Sequence, residues 1–280
     1  MAKKSDWTER HRPSSESHLE GNESQRQKIR KWLDDWKNGA PKNKAILLVG
    51  PPGVGKTTVA RAIAQDMGWN VIELNASDAR NAASIRKAAT KGATHRSLFY
   101  DPNEEPKRTL ILIDEVDHLS GGLRTVSENR INKAINFNPE SNENHNLSGD
   151  TGGKAELLNL LKNTKQPVIL ACNEVMGLWG KSSNWRSTRE RFQRLLVTIN
   201  FERASKEALR NIARRVLKFE GISLSYSPIL YLSHLIDFGK SINSVSGSIK
   251  SSFKALANVK VLKTEPNSYV PLVTLLMKLV

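Results

Sequence analysis

The stretch Gly50-Pro51-Pro52-Gly53-Val54-Gly55-Lys56-Thr57-Thr58 carries the residue types needed to hold a chain of phosphates. Its spacing is G-x-x-x-x-G-K-[ST]. In that pattern glycines let backbone N–H groups close around phosphate oxygens, and the helix that starts there aims its positive N-terminus at them. Lys56 would lie against the β- and γ-phosphates, and the Thr57 hydroxyl would take a Mg²⁺ position. The apolar run Ala45-Ile46-Leu47-Leu48-Val49 precedes the glycines, and Val59-Ala60-Arg61-Ala62-Ile63-Ala64 follows them. Strand, glycine-rich loop and helix in that order make chance a poor explanation of the match. The implied ligand is a nucleoside triphosphate with Mg²⁺.

A second set of groups fits the same chemistry. Leu110-Ile111-Leu112-Ile113 runs into the adjacent carboxylates Asp114 and Glu115. In open parallel sheets ligands gather at the carboxyl ends of strands, the edge from which the glycine-rich loop also leaves. Asp114 would support Mg²⁺, and Glu115 would polarise an attacking water as general base. Two acidic residues at a helix start would read the same way in isolation. Asn173 closes the apolar run Leu170-Ala171-Cys172, where an amide could read a γ-phosphate or simply begin a turn.

These groups need a scaffold that brings them to one edge. Apolar runs at 45–49, 69–75, 109–113, 168–172 and 195–201 read as strands, and helix-like segments separate them. The 109–113 run is apolar throughout, as a strand covered on both faces should be. The expected fold is therefore α/β, an open parallel five-stranded sheet flanked by helices. A helix is predicted at 24–36, with Ile29, Leu33 and Trp36 at helical spacing, and another at 82–90. Residues 121–151 read as a polar loop or insertion. From 204 onward the pattern is helical, at 205–218, 228–238 and 244–258, which suits a small lid domain.

Composition narrows the class. The chain has 280 residues, mean hydropathy −0.47, and 43 Lys+Arg against 28 Asp+Glu, a formal charge of +15. So large an excess points to a polyanionic partner, most simply nucleic acid, although a solvated basic surface would give the same count. Cys172 is the only cysteine and sits in an apolar run, which leaves no internal disulfide or cysteine–zinc cluster. The N-terminus lacks an apolar signal core, and no run reaches the ~20 apolar residues of a membrane span. These features predict a soluble intracellular protein with no membrane partner.

Taken together, the motifs resemble those of the AAA+ ATPases, and more narrowly the clamp loaders of the replication factor C type. Trp7-Thr8-Glu9-Arg10-His11-Arg12-Pro13 resembles the W-x-x-K/R-Y-R-P opening of those subunits. Glu73-Leu74-Asn75-Ala76-Ser77-Asp78-Ala79-Arg80 is similar to their E-L-N-A-S-D-x-R, and Ile113-Asp114-Glu115-Val116-Asp117 to their acidic box. Gly152-Gly153 and Thr164-Lys165-Gln166-Pro167-Val168-Ile169-Leu170 resemble the segment before sensor 1. The likeness spans most of residues 6–173 and is greatest to the large-subunit branch found in archaea.

The resemblance implies an ATP-driven subunit that helps load a ring-shaped sliding clamp onto primer–template DNA during replication. Its partners would be clamp-loader small subunits, in a hetero-oligomer that is commonly a pentamer, together with the clamp and the DNA. The location would be the cytoplasm near the nucleoid in an archaeon, or the nucleus in a eukaryote. By position, Gly50 to Thr58 would bind the ATP phosphates, Thr57 and Asp114 the Mg²⁺, and Lys56, Glu115 and Asn173 would act in hydrolysis, Asn173 as sensor 1. Arg12 and Pro13 would lie near the adenine. Arg80, Arg86, Lys87 and Lys91 would contact DNA phosphates, unless they form a solvated basic helix face. The domains implied are an AAA+ nucleotide-binding unit over 1–203, a helical lid over 204–262, and the start of a truncated or absent collar over 263–280.

Three features depart from the family pattern. Ser187-Thr188-Arg189-Glu190-Arg191 stands where small subunits carry an S-R-C arginine finger, which favours the large-subunit branch and leaves Arg189 and Arg191 poor finger candidates. Ser246-Gly247-Ser248-Ile249-Lys250 aligns with the S-G-D-x-R of sensor 2, so Lys250 offers the nucleotide a charge without arginine's planar fork. The family continues into a helical collar and often ends in a clamp-binding peptide, and with the sequence stopping at Val280 both are expected to be missing or truncated. Two other functions stay open at this level. One is a different AAA+ DNA motor of the branch-migration helicase type, and the other is a nucleotide-binding DNA scaffold with little hydrolysis. A threading remodeller fits less well, because Asn75-Ala76-Ser77-Asp78 supplies no pore-loop aromatic.

Overall fold

The computed structural model describes residues 10–77, 81–94, 108–119, 122–135, 151–180 and 183–219, with backbone alone for 88, 89, 91–94 and 217. Five parallel strands form its centre: β1 (Ala45–Val49), β2 (Asn70–Asn75), β3 (Thr109–Asp114), β4 (Val168–Cys172) and β5 (Leu196–Asn200). Their spatial order is β2-β3-β4-β1-β5. The chain thus leaves β1 for the far edge, returns through β3 to β4, and places β5 on the opposite side of β1. Leu47 stands opposite Leu170 on one side and Thr198 on the other, while Leu112 pairs with Ile169.

Side chains alternate across a strand, so each inner strand must supply apolar residues to two faces. Ile46, Leu48, Leu110, Leu112 and Ile169 meet one helical layer. That layer consists of α1 (Glu23–Asp35), through Ile29 and Leu33, and α2 (Lys56–Asp66), through Val59 and Ile63. Leu47, Ile111, Ile113 and Leu170 face the other way. There they meet Ile85 of α3 (Ala82–Thr94), Leu157 and Leu161 of α5 (Gly153–Asn163), Leu178 of α6 (Val175–Trp179) and Phe192 of α7 (Trp185–Gln193). At about 1.5–3 kcal/mol for each fully buried aliphatic or aromatic side chain, these two layers are the main force holding the sheet. Trp36, just beyond α1, is fully buried, and Trp32 donates its indole N–H to the Asn43 carbonyl at 2.8 Å.

The polar insertion departs from the loop expected over 121–151. Residues Glu128–Ile135 form a helix, α4, whose Ile131 is buried against Ala82 and Ala83 of α3. Its apolar stripe, Ile131 with Ala134 and Ile135, spans little more than one turn and is easily lost in a polar stretch. Gly152 adopts φ 71°, and a Cβ there would stand 2.5 Å from Val126 Cγ2, so the chain re-enters the core at a point where only glycine fits. Of the three expected lid helices, α8 (Lys206–Phe219) is described, and 228–238 and 244–258 lie outside the described residues, as does the collar segment 263–280.

A charged fork pins this layer. Arg86 of α3 donates from Nε and Nη2 to Glu156 of α5 at 2.8 and 2.7 Å, and it also bonds Glu128 of α4. Hydrogen bonding to Glu156, with Glu128 adding, raises the guanidinium above the ordinary arginine range. Glu156 is 9% exposed and Glu128 71%. Removing a carboxylate that faces a largely buried cation is costly, whereas an exposed pair contributes little. Glu156→Ala should therefore lower unfolding free energy by about 3–5 kcal/mol in urea titrations. Glu128→Gln should change it by less than about 1 kcal/mol.

Candidate active site

The sheet order brings three strand ends together. β4 lies between β1 and β3, so Asn173 at its end falls between the glycine-rich loop after β1 and Asp114 at the end of β3. The loop is held low against the sheet at Gly50, where a Cβ would stand 2.6 Å from the Phe201 carbonyl oxygen. Gly53 and Gly55 have φ of 76° and 85°, a left-handed conformation that glycine adopts without steric cost. The loop turns through them into α2, whose first backbone N–H groups have no acceptor within the helix and form an anion-binding end.

Lys56 opens α2 and is only 6% exposed. Its ammonium donates to the Gly50 carbonyl at 2.7 Å, the Pro51 carbonyl at 2.8 Å and Asn173 Oδ1 at 2.9 Å. Burial lowers its pKa, and the nearby Asp114, Cys172 and Asp117 oppose that shift. Thr57 Oγ1 donates to Asp114 Oδ2 at 2.5 Å, and Asp114 Oδ1 accepts the Glu115 N–H at 2.8 Å. A hydroxyl and a carboxylate that converge in this way are hard oxygen donors. They suit Mg²⁺, which is bound by one or two protein oxygens with phosphate and water completing its octahedron. The residues therefore fit the ion.

Glu115 has φ 54° and ψ 38°, one of two non-glycine residues in the left-handed region among those described. That conformation costs on the order of 1 kcal/mol and breaks the strand direction immediately after Asp114. The Glu115 side chain is 36% exposed, lines the same cleft, and has Oε2 3.7 Å from His118 Nδ1.

The cleft has a volume of about 410 Å³. Pro52 to Thr58, Asp114, Glu115 and Asn173 line its polar end. Arg12 and Pro13 line it too, with Leu19 and with Leu209, Ile212 and Val216 of α8 supplying apolar surface. One end thus offers phosphate and cation ligands, and the rest mixes apolar cover suited to a base with charged groups such as Arg12, Glu20 and Arg215. Residues 18–20 and α8 are walls that the sequence reading did not anticipate. The helical spacing of 209, 212 and 216 was visible, but not which cleft that face would cover. Among them, burial lowers the Arg215 pKa while Glu20 opposes the shift, and Arg215 donates to the His18 carbonyl.

The expected DNA contacts separate. Lys87 is exposed on α3, whereas Arg86, expected to face phosphate, is instead engaged by Glu156 and Glu128, so its charge is neutralised within the chain. Arg80 lies outside the described residues, as do Lys250 and the side chain of Lys91. Arg189 and Arg191 are exposed on α7.

A glycine-rich loop between strand and helix, with hydroxyl, carboxylates and amide gathered at the carboxyl edge of a parallel sheet, defines a P-loop nucleoside-triphosphate-binding protein. Residues 46–198 match the family described as AAA, the ATPase family associated with various cellular activities, and the chain belongs to that family. The chain is 30% identical over 245 residues to the replication factor C large subunit of Methanosarcina mazei, covering 87% of this chain and 33% of that protein. It is 40% identical over 170 residues to the large subunit of Methanococcus maripaludis, covering 61% of this chain and 28% of that one. To the Sulfolobus acidocaldarius large subunit it is 30% identical, covering 77% of this chain and 40% of the relative. The expected likeness to archaeal large subunits is therefore found, and the chain spans about a third of the length of the curated relatives it matches. A solved structure of the Thermotoga maritima RuvB Holliday junction branch migration motor superimposes with a TM-score of 0.51 at 17% identity, over 80% of this chain and 59% of that one. That likeness is one of fold. No helix among the described residues is long and apolar enough to cross a membrane.

Cys172 ends β4 next to these groups. Burial, with Asp117 and Asp114 adding, pushes its thiol from the ordinary 9.0 to about 12. The folded chain holds this proton more tightly than the unfolded chain. The contribution to stability is thus complete below pH 9 and declines as pH rises toward 12. The folded protein should leave a thiol-specific chromogenic disulfide unreacted at pH 8 and consume one equivalent once denatured. Lys56→Ala should weaken ATP binding by about 100-fold or more in a fluorescent-nucleotide titration, since the ammonium that Gly50, Pro51 and Asn173 hold at the polar end of the cleft is then lost to the phosphates.

Proposed function

We propose that this chain is an ATP-hydrolysing subunit of a clamp loader, which uses ATP to place a sliding clamp on primed DNA. The observation that carries the reading is the convergence of Lys56, the Thr57–Asp114 pair, Glu115 and Asn173 on one cleft. Membership of the AAA family and likeness to archaeal large subunits give that convergence its context.

In this reading α2 and Lys56 hold the phosphates, with Arg12 and Pro13 beside the base and Lys250 approaching the γ-phosphate from the lid. Bound Mg²⁺, held at Thr57 and Asp114, supplies charge neutralisation on the phosphate oxygens. Asn173 orients the terminal phosphate and the attacking water. Glu115 takes the proton of that water as its oxygen bonds to phosphorus and the bond to the ADP oxygen breaks. Lys87, with Arg80 and Lys91, faces the DNA backbone, and the formal charge of +15 supports a polyanionic partner. Small subunits, the clamp and primer–template DNA complete the assembly, in the cytoplasm of an archaeal cell.

Hydrolysis should be measured with archaeal small subunits, clamp and primed DNA, comparing wild type with Glu115→Gln. Clamp loading predicts stimulation that needs both clamp and DNA. Glu115→Gln should lower this chain's turnover by about 10²- to 10⁴-fold while ATP still binds. Stimulation by DNA alone would favour a branch-migration type of motor. Assembly with no change on mutating Glu115 would make the chain a nucleotide-bound scaffold.

A further inference from the structure

Asp117 does not line the cleft, yet it joins the two strand ends that do. It lies in the 3₁₀ turn Val116–His118, immediately after Glu115. Its Oδ2 accepts the backbone N–H groups of Asn173 and Glu174, each at 3.2 Å. The sheet does not provide this link, because the β3–β4 register ends at Ile113 opposite Leu170 while β4 runs on to Cys172. Beyond Leu170 the β3 side of β4 is held by a carboxylate instead of a ladder. The second oxygen, Oδ1, is buried without a hydrogen-bond partner among the described residues, an arrangement that is unfavourable unless the position demands it.

The turn is also pressed from behind. A Cβ at Gly177 of α6 would stand 2.4 Å from the Asp117 carbonyl oxygen, so no side chain fits between α6 and the turn. The Gly177 carbonyl in turn accepts from Lys154, which is 2% exposed. On the other side, Asn173 Oδ1 accepts from Lys56. The links run without a gap from Lys56 through Asn173 to Asp117 and back along the chain to Glu115.

We propose that Asp117 is a positioning residue that holds Asn173 and Glu115 in fixed relation. Engagement of the terminal phosphate by Asn173 is thereby registered at the carboxylate that activates water. The inference rests on the ATPase reading above.

The test uses Asp117→Ala, Asp117→Asn, Asn173→Ala and the Asp117→Ala/Asn173→Ala double variant of the full chain in the reconstituted assembly. Asp117→Ala should lower this chain's kcat by about 10- to 100-fold and leave ADP affinity within about twofold, because Lys56, Thr57 and Asp114 are untouched. Asp117→Asn keeps an acceptor for the two N–H groups and should recover most of the loss. The double variant should be no slower than the slower single variant, as expected when one residue acts through the other. Additive losses, an equal fall in affinity, or an unchanged kcat would overturn the proposal. Hydrogen exchange at Asn173 and Glu174 provides a readout independent of turnover. Protection there should drop in Asp117→Ala and persist in Asp117→Asn, and unchanged protection in Asp117→Ala would also overturn it. Absence of hydrolysis in the wild type would defeat the ATPase reading instead, with exchange still deciding whether Asp117 holds Asn173.

Discussion

The buried ammonium of Lys56 is the interaction on which the rest of the structure depends. A cation removed from water is tolerated only where acceptors meet it at short range, and here two loop carbonyls and the Asn173 amide do so. Each acceptor has its own structural requirement. The carbonyls need the glycine-rich loop pressed onto Phe201, and the amide needs β4 beside β1. Strand order and loop conformation are thus coupled to one charged group, and that group is the one a triphosphate would meet.

The same edge separates three tasks among neighbouring residues. Thr57 and Asp114 present hard oxygens, Glu115 is turned out of the strand by a left-handed backbone, and Asn173 accepts from Lys56 through its side chain while its backbone N–H is held by Asp117. Asp117 and Gly177 lie behind these groups and keep the strand ends in step. The polar end of the cleft is therefore cross-linked by hydrogen bonds between the strand ends and the glycine-rich loop. Its other wall is built from residues 18–20 and α8, which are distant in sequence and tied by Asn22 to Glu202 and by Arg215 to His18.

Much of this was legible in the residues. The glycine-rich loop, the acidic strand end and the strand-like runs located β1 to β5 within a residue or two, most plainly for β1, β3 and β4, which are buried on both faces and leave an uninterrupted apolar record. Lys56, Thr57, Asp114, Glu115 and Asn173 carry their chemistry in type and spacing, and the sheet brings them to one cleft. What was not legible depends on contacts distant in sequence. Arg86 looked like a surface cation until Glu156 and Glu128 came to meet it, and the short helix α4 buries Ile131 alone completely, with Ala134 and Ile135 only partly covered. Asp117 read as one more acidic residue in a box. Its partners are backbone N–H groups at the end of another strand, which no side-chain pattern records.

The proposed chemistry turns on whether the carboxyl edge of this sheet is a metal–nucleoside triphosphate site. The most direct measurement is a crystal structure with a non-hydrolysable ATP analogue and Mn²⁺ in place of Mg²⁺, with the metal located by anomalous scattering. Such a site predicts one metal peak in contact with Thr57 Oγ1 and close to Asp114, with the triphosphate wrapped by residues 52–58 and its terminal phosphate between Lys56 and Asn173. A metal peak elsewhere, or a triphosphate lying on the basic surface and not in this cleft, would contradict it.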